Sequence, residues 1–169
     1  MQLRHKAHFT RELYEQAAVI ASLCGEAGAL LVVNDRADVA MLLEAAVHVG
    51  QDDLQPTDVR AIAGAERVVG FSTHNEAQLR AAAGEPIDYV ALGPIFGTSS
   101  KDNPDPRVGL EELRRLKPIA RVPLVAIGGI TRETADDVWS AGADSIAVVG
   151  DLYPDVRQRA EEWVQLAGK

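Results

Sequence analysis

The sequence predicts a single-domain α/β fold with a parallel sheet, and three observations lead there. Short apolar runs rich in β-branched residues alternate with amphipathic helical stretches along all 169 residues. Most of those runs are apolar on both faces, as strands covered by helices on two sides require. A polar cluster follows nearly every run. Strands are expected at Met1–Leu3, Ala29–Val33, Ala46–Val49, Arg67–Phe71, Ile87–Leu92, Val122–Ile127 and Asp144–Val149. An open doubly wound sheet and a (β/α) barrel both satisfy seven such strand–helix units. The polar clusters favour the TIM-type barrel, whose chemistry sits on the loops at the strand C-termini.

The helices follow from caps and stripes. Thr10 caps a stripe of Leu13, Ala17, Ile20 and Cys24, with Gly25 placed to stop it. Pro56 and Pro154 suit first-turn positions, and Thr131 suits a cap before Ala135 and Val138. The last helix, Pro154 to Ala167, presents Val156, Ala160, Trp163 and Ala167 on one side. The stretch from Gly93 to Gly109 is the one long irregular loop, and loops of that length inside a compact domain are usually functional.

The composition is 47% hydrophobic and 25% charged, with no Ser/Gly-rich linker, so residues 1–169 read as one domain with a real core. A net charge of −8 argues against the concentrated basic face that a nucleic-acid partner needs. The longest apolar stretch, Ala27 to Val33, is too short to cross a bilayer, and the start lacks a secretory pattern. One cysteine, Cys24, rules out an intramolecular disulfide. A cytoplasmic protein is expected.

The strand ends carry the chemistry. Gln2, Arg4 and Lys6 alternate, so three polar groups project to one side of an extended first strand, unless that face is simply solvated. Asn34-Asp35, and later Ser72, Thr73 and His74, serve equally as helix caps or as ligands. Asp52 and Asp53 read as solvated charge or as a metal carboxylate. Thr98, Ser99, Ser100 and Lys101 place three hydroxyls and a cation in a Gly-bounded turn suited to phosphate. Gly128-Gly129 and Val149-Gly150 let backbone N–H groups approach an anion. In an acidic protein a diphosphate needs compensation. Asp35 and Asp53 supply it through Mg²⁺, which is typically bound by one or two carboxylates plus phosphate oxygens. Two phosphorylated ligands, one carrying a diphosphate, suggest group transfer with diphosphate leaving.

The motifs Gln2-Leu3-Arg4-His5-Lys6, Val33-Asn34-Asp35-Arg36, His48-Val49-Gly50-Gln51-Asp52-Asp53, Gly70-Phe71-Ser72-Thr73-His74, Leu92-Gly93-Pro94-Ile95-Phe96, Ser100-Lys101, Ala126-Ile127-Gly128-Gly129-Ile130 and Ala141-Gly142-Ala143-Asp144, in this order, resemble the thiamine phosphate synthase family. The resemblance implies a (β/α)8 barrel joining hydroxymethylpyrimidine diphosphate to thiazole phosphate, with Mg²⁺. It assigns the pyrimidine diphosphate to Gln2, Arg4, Lys6, Asn34, Ser72 and Lys101, and Mg²⁺ to Asp35 and Asp53. Arg4, Lys6, Ser72 and Lys101 become the catalytic set. The thiazole phosphate falls to Thr98, Ser99, Ser100, Gly129, Val149 and Gly150. The implied reaction is dissociative: diphosphate departs first, and the thiazole nitrogen captures the pyrimidine methyl cation.

Three departures stand out. His5 replaces an acidic residue, and Gly150 replaces a common Ser. Gln2-Leu3-Arg4 matches the family's second strand, so the barrel is expected to be incomplete at the N-terminus, short of its first βα unit. Its open edges then invite a homo-oligomer. The rival readings are a thiazole tautomerase of the same fold and a non-catalytic phosphate-ligand binding protein.

Overall fold

The structure is a computed structural model that describes residues 1–97 and 105–168. Those residues gather into two compact units: Met1–Ser72 with Gly84–Asp88, and Thr73–Ala83 with Tyr89–Lys169.

In the first unit, strands β1 (Gln2–Leu3), β2 (Val32–Asn34), β3 (Ala46–Val49) and the start of β4 (Val69–Thr73) pair in sequence order, all parallel. Every residue of β3 is buried, including His48, as a strand covered on both faces should be. Helix α1 (Arg11–Glu26) starts at the expected cap, Thr10, whose hydroxyl accepts the Leu13 N–H at 3.2 Å. It buries Ala17 and Cys24 but runs through Gly25, contrary to expectation. The turn is made instead by Gly28 at φ 64°, where the Ala29 N–H returns to the Cys24 carbonyl. Helices α2 (Ala37–Leu42) and α3 (Pro56–Ala63) follow, the latter with Pro56 in its first turn as predicted.

Two expectations shift here. Strand β1 ends at Leu3, so Arg4 and Lys6 lie beyond it and owe nothing to strand alternation. Strand β4 begins two residues later than Arg67 and ends two later than Phe71. Its start is fixed by Asp88, whose carboxylate accepts the Val69 N–H at 2.7 Å. Arg60 donates to that carboxylate and to the carbonyls of Pro86 and Arg67, holding the far end of the strand.

The second unit contains α4 (Glu76–Ala82), α5 (Gly109–Leu116), α6 (Arg132–Ser140) and α7 (Val156–Ala167) around β5 (Tyr89–Leu92), β6 (Leu124–Ile127) and β7 (Ser145–Ala147). The three strands are again parallel and in order. Asp144 repeats the device of Asp88: its carboxylate accepts the Leu124 N–H at 2.7 Å and pairs with Lys117. Thr131 and Thr134 form a capping box at the start of α6, and Ala135 and Val138 are buried on its inner face. Strand β7 stops short of Val149. Helix α7 starts after Pro154 with Asp155 as its cap. Of its predicted stripe only Trp163 is buried, while Val156 and Ala167 are exposed.

Candidate active site

The first unit gathers its polar groups at the C-terminal ends of β1 to β4. Asn34, the last residue of β2, is buried and donates from Nδ2 to Asp35 Oδ1 at 2.5 Å. It is therefore a strand residue, and the cap reading of Asn34-Asp35 falls: the residue preceding α2 is Arg36, with no side-chain cap bond. Asp35 takes up the left-handed region at φ 65°, with its N–H bound to the His48 carbonyl at 2.8 Å. Such a conformation is unusual outside glycine, asparagine and aspartate. Here it sets the Asp35 carboxylate beside Lys6, with which it forms an ion pair.

Asp53 closes the turn after β3 by accepting the Gly50 N–H at 2.8 Å. The Asp35 and Asp53 carboxylates lie within hydrogen-bond reach of each other, and their titrations diverge accordingly. Burial, together with Asp53, pushes Asp35 up despite Lys6. For Asp53 burial acts upward, but hydrogen bonds from Asp35 and Gly50 and the charge of Lys6 outweigh it, leaving it low. Two neighbouring carboxylates, only one of them paired with an ammonium, form a site that gains from a further cation. Among the described residues no cluster of three or more His, Cys, Asp or Glu could hold a metal. The donor set fits Mg²⁺ completed by phosphate oxygens.

Ser72 sits on β4 with its Oγ 2.8 Å from His48 Nε2, and its carbonyl accepts Gln51 Nε2 at 2.6 Å. The residue capping α4 is Asn75, so Ser72 and Thr73 are freed from the cap reading. Gln2 opens β1 and Arg4 lies just past its end, both exposed. His48 and Gln51 are the participants that residue-by-residue reading left unassigned. The available signal was a histidine inside an otherwise apolar run. Burial lowers the His48 imidazole to about 4, the charge of Asp53 opposing only in part, so the ring is neutral at pH 7.

The second unit offers backbone in place of charge. The Ile95 and Phe96 N–H groups bond the Ile127 and Gly128 carbonyls, both at 2.9 Å, joining the start of the long loop to the turn after β6. Gly129, at φ 65°, has no room for a side chain: a Cβ would meet the Gly97 carbonyl and lie 2.9 Å from Phe96 Cβ. Val149 and Gly150 are exposed after β7, and a 3₁₀ turn (Gly150–Leu152) begins there. His74 donates to or accepts at two loop ends, with Nδ1 2.6 Å from the Gly93 carbonyl oxygen and 3.4 Å from Asp105. The imidazole must donate in the first of these contacts. Thr98, Ser99, Ser100 and Lys101 lie outside the described residues.

Polar groups concentrated at the C-terminal ends of parallel strands are the layout of a parallel α/β enzyme. The family model described as thiamine monophosphate synthase matches residues 1–152. A thiamine-phosphate synthase of Koribacter versatilis is 49% identical over 167 residues, which is 98% of this chain and 79% of that protein. One from Chlorobium phaeovibrioides is 42% identical over 98% of this chain and 80% of its own length. The solved thiamine phosphate pyrophosphorylase from Pyrococcus furiosus superposes with a TM-score of 0.89 at 33% identity, covering 99% of this chain and 81% of that one. The chain belongs to the thiamine monophosphate synthase family.

Proposed function

We propose that this chain condenses hydroxymethylpyrimidine diphosphate with thiazole phosphate, yielding thiamine phosphate and diphosphate. It is a transferase of thiamine biosynthesis. The observation that carries the substrate assignment is the Asp35–Asp53 carboxylate pair beside Lys6. That arrangement suits a diphosphate bound together with Mg²⁺, with Asp35 and Asp53 as the protein ligands. The metal, when bound, neutralises charge on the leaving diphosphate.

The chain's own groups do the rest. Lys6 is positioned to stabilise the same charge, joined by Arg4 and, from the long loop, Lys101. Asn34, Gln2 and Ser72 orient the pyrimidine substrate. The neutral imidazole of His48 fixes the Ser72 hydroxyl at 2.8 Å. The bond from the pyrimidine methylene carbon to the diphosphate oxygen breaks, and its electron pair leaves with diphosphate. The thiazole nitrogen lone pair then forms the new C–N bond. No side chain needs to act as a nucleophile. Gly129, Val149 and Gly150, with Thr98, Ser99 and Ser100, hold the thiazole phosphate through backbone and hydroxyl donors.

The fold read with this activity is of the (β/α) barrel type, as a single domain over residues 1–169. Among the described residues no helix is long and apolar enough to cross a membrane. The reading places the enzyme in the cytoplasm with dissolved phosphorylated substrates, and copies pairing along an exposed strand edge belong to it. A coupling assay with both substrates and varied Mg²⁺ tests it. Formation of thiamine phosphate is expected only when both substrates and the metal are present. Turnover of a thiazole carboxylate phosphate alone would assign the tautomerase activity instead.

A further inference from the structure

The 3₁₀ turn after β7 is three residues long, and its backbone bonds, Leu152 N–H to Val149 and Tyr153 N–H to Gly150, both span 3.2 Å. A turn of that length has little stiffness of its own. Its direction is set by a side chain. Asp151 follows Gly150 directly, and its carboxylate is only 11% exposed. Asp151 Oδ2 accepts the Trp163 indole N–H at 2.9 Å and lies 3.2 Å from Arg132 Nε.

Arg132 opens α6, three residues after Gly129, with a guanidinium that is 16% exposed. Its Nη1 pairs with Glu162, which also accepts from Gln158 at 2.8 Å and faces Arg159 at 3.3 Å. One largely buried carboxylate thus ties the start of α6, the turn after β7 and the middle of α7. Buried ion pairs contribute little net stability compared with apolar replacements, and their best-attested use is to fix one arrangement over others. This one stands one residue from Gly150 and three from Gly129, on the two turns read as the phosphate cradle.

We infer that Asp151, clamped by Arg132 and Trp163, is a positioning residue for the thiazole phosphate. It sets the turn carrying Gly150 against the turn carrying Gly129. Asp151 does not itself touch the phosphate, since its charge would repel it. Arg132 therefore has a second task, which is to neutralise that carboxylate beside an anion site. The inference rests on the reading that Gly129, Val149 and Gly150 bind the thiazole phosphate.

The test separates the two. In wild-type protein, titration with thiazole phosphate should shift the amide NMR signals of Gly129 and Gly150. Trp163→Phe removes the indole donor together with part of the ring, and Asp151→Asn removes the charge. Each should raise KM for thiazole phosphate roughly tenfold, while kcat and KM for the pyrimidine diphosphate stay within about twofold. Arg132→Lys should restore part of the KM lost in Arg132→Met. Melting curves accompany each variant, and Trp163→Phe, the mildest change, keeps the test informative if the charged variants unfold. If the amides shift but both KM values rise together, or neither rises, the positioning role is overturned and the phosphate reading stands. If the amides do not shift, the reading itself fails and the inference with it.

Discussion

In the proposed reading, the two compact units handle anions by different physics. The first relies on ionisable side chains: Lys6 pairs with Asp35, whose carboxylate lies beside that of Asp53, past the ends of β1, β2 and β3. The second relies on shape, with Gly129 too crowded for any side chain and loop amides bonded to the turn after β6. Charge can be tuned by pH, salt and metal. Close backbone approach can only be kept or lost. The first unit should therefore respond to solution conditions, and the second to side-chain volume.

The largest expected effect is on the shape side. Gly129→Ala places a Cβ against the Gly97 carbonyl and Phe96 on a backbone at φ 65°. Overpacking and the left-handed penalty together should cost roughly 4 kcal/mol, read as a lower denaturation midpoint. Retention of wild-type stability would show that the turn yields, which breaks the contrast.

Next comes pH, on the charge side. The folded protein holds His48 neutral down to about 4, whereas the unfolded chain takes up a proton below 6.5. Stability from this group is therefore complete above pH 6.5 and falls as pH drops towards 4, by roughly 3 kcal/mol in total. Denaturation midpoints measured across that window should flatten in His48→Gln. An unchanged slope would remove His48 as the source.

Third, Asp53→Ala should reduce coupling roughly a hundredfold at limiting Mg²⁺ and recover partly as the metal is raised. Full activity at limiting metal would withdraw Asp53 as a ligand. The smallest effect concerns the loop carrying Lys6. Arg36 lies over the Phe9 ring at 5.4 Å, and an exposed contact of this type contributes about 0.5–1 kcal/mol. Phe9→Ala should thus raise KM for the pyrimidine diphosphate about two- to fivefold without changing KM for the thiazole phosphate. Equal changes in both would tie the loop to the whole protein rather than to the charged site.

Much of this was legible in the sequence because buried parallel strands leave continuous apolar runs, and β3, Ala46–Val49, appears where its run predicts it. The neighbouring carboxylates were legible as strand-end residues, since Asp35 falls two residues after Val33 and Asp53 four after Val49. Boundaries were harder where a polar residue stays in the ladder. Thr73 extends β4, and its hydroxyl reaches the Ala91 carbonyl at 2.9 Å, a partner eighteen residues away that no local pattern reveals. The same holds for His48 with Ser72 and for Arg132 with Asp151: each polar group is satisfied across elements, so neither partner advertises the other. The repeated device of Asp88 and Asp144 did leave a trace. Ile87-Asp88-Tyr89-Val90 and Ala143-Asp144-Ser145-Ile146 share an aspartate just ahead of a strand.

The left-handed backbone at Asp35 has a consequence for how this position tolerates variation. At φ 65° a substitution to most residues strains the main chain before it alters any chemistry, whereas asparagine or glycine is accommodated cheaply. Asp35→Asn thus deletes a charge while preserving the bend, and Asp35→Val disturbs both at once. Among random variants, those that survive at position 35 should be enriched in the former kind, so survival there reports on backbone torsion more than on catalysis. Position 53 carries no such torsional filter, and its variants should sort by the charge and by the Gly50 hydrogen bond they lose.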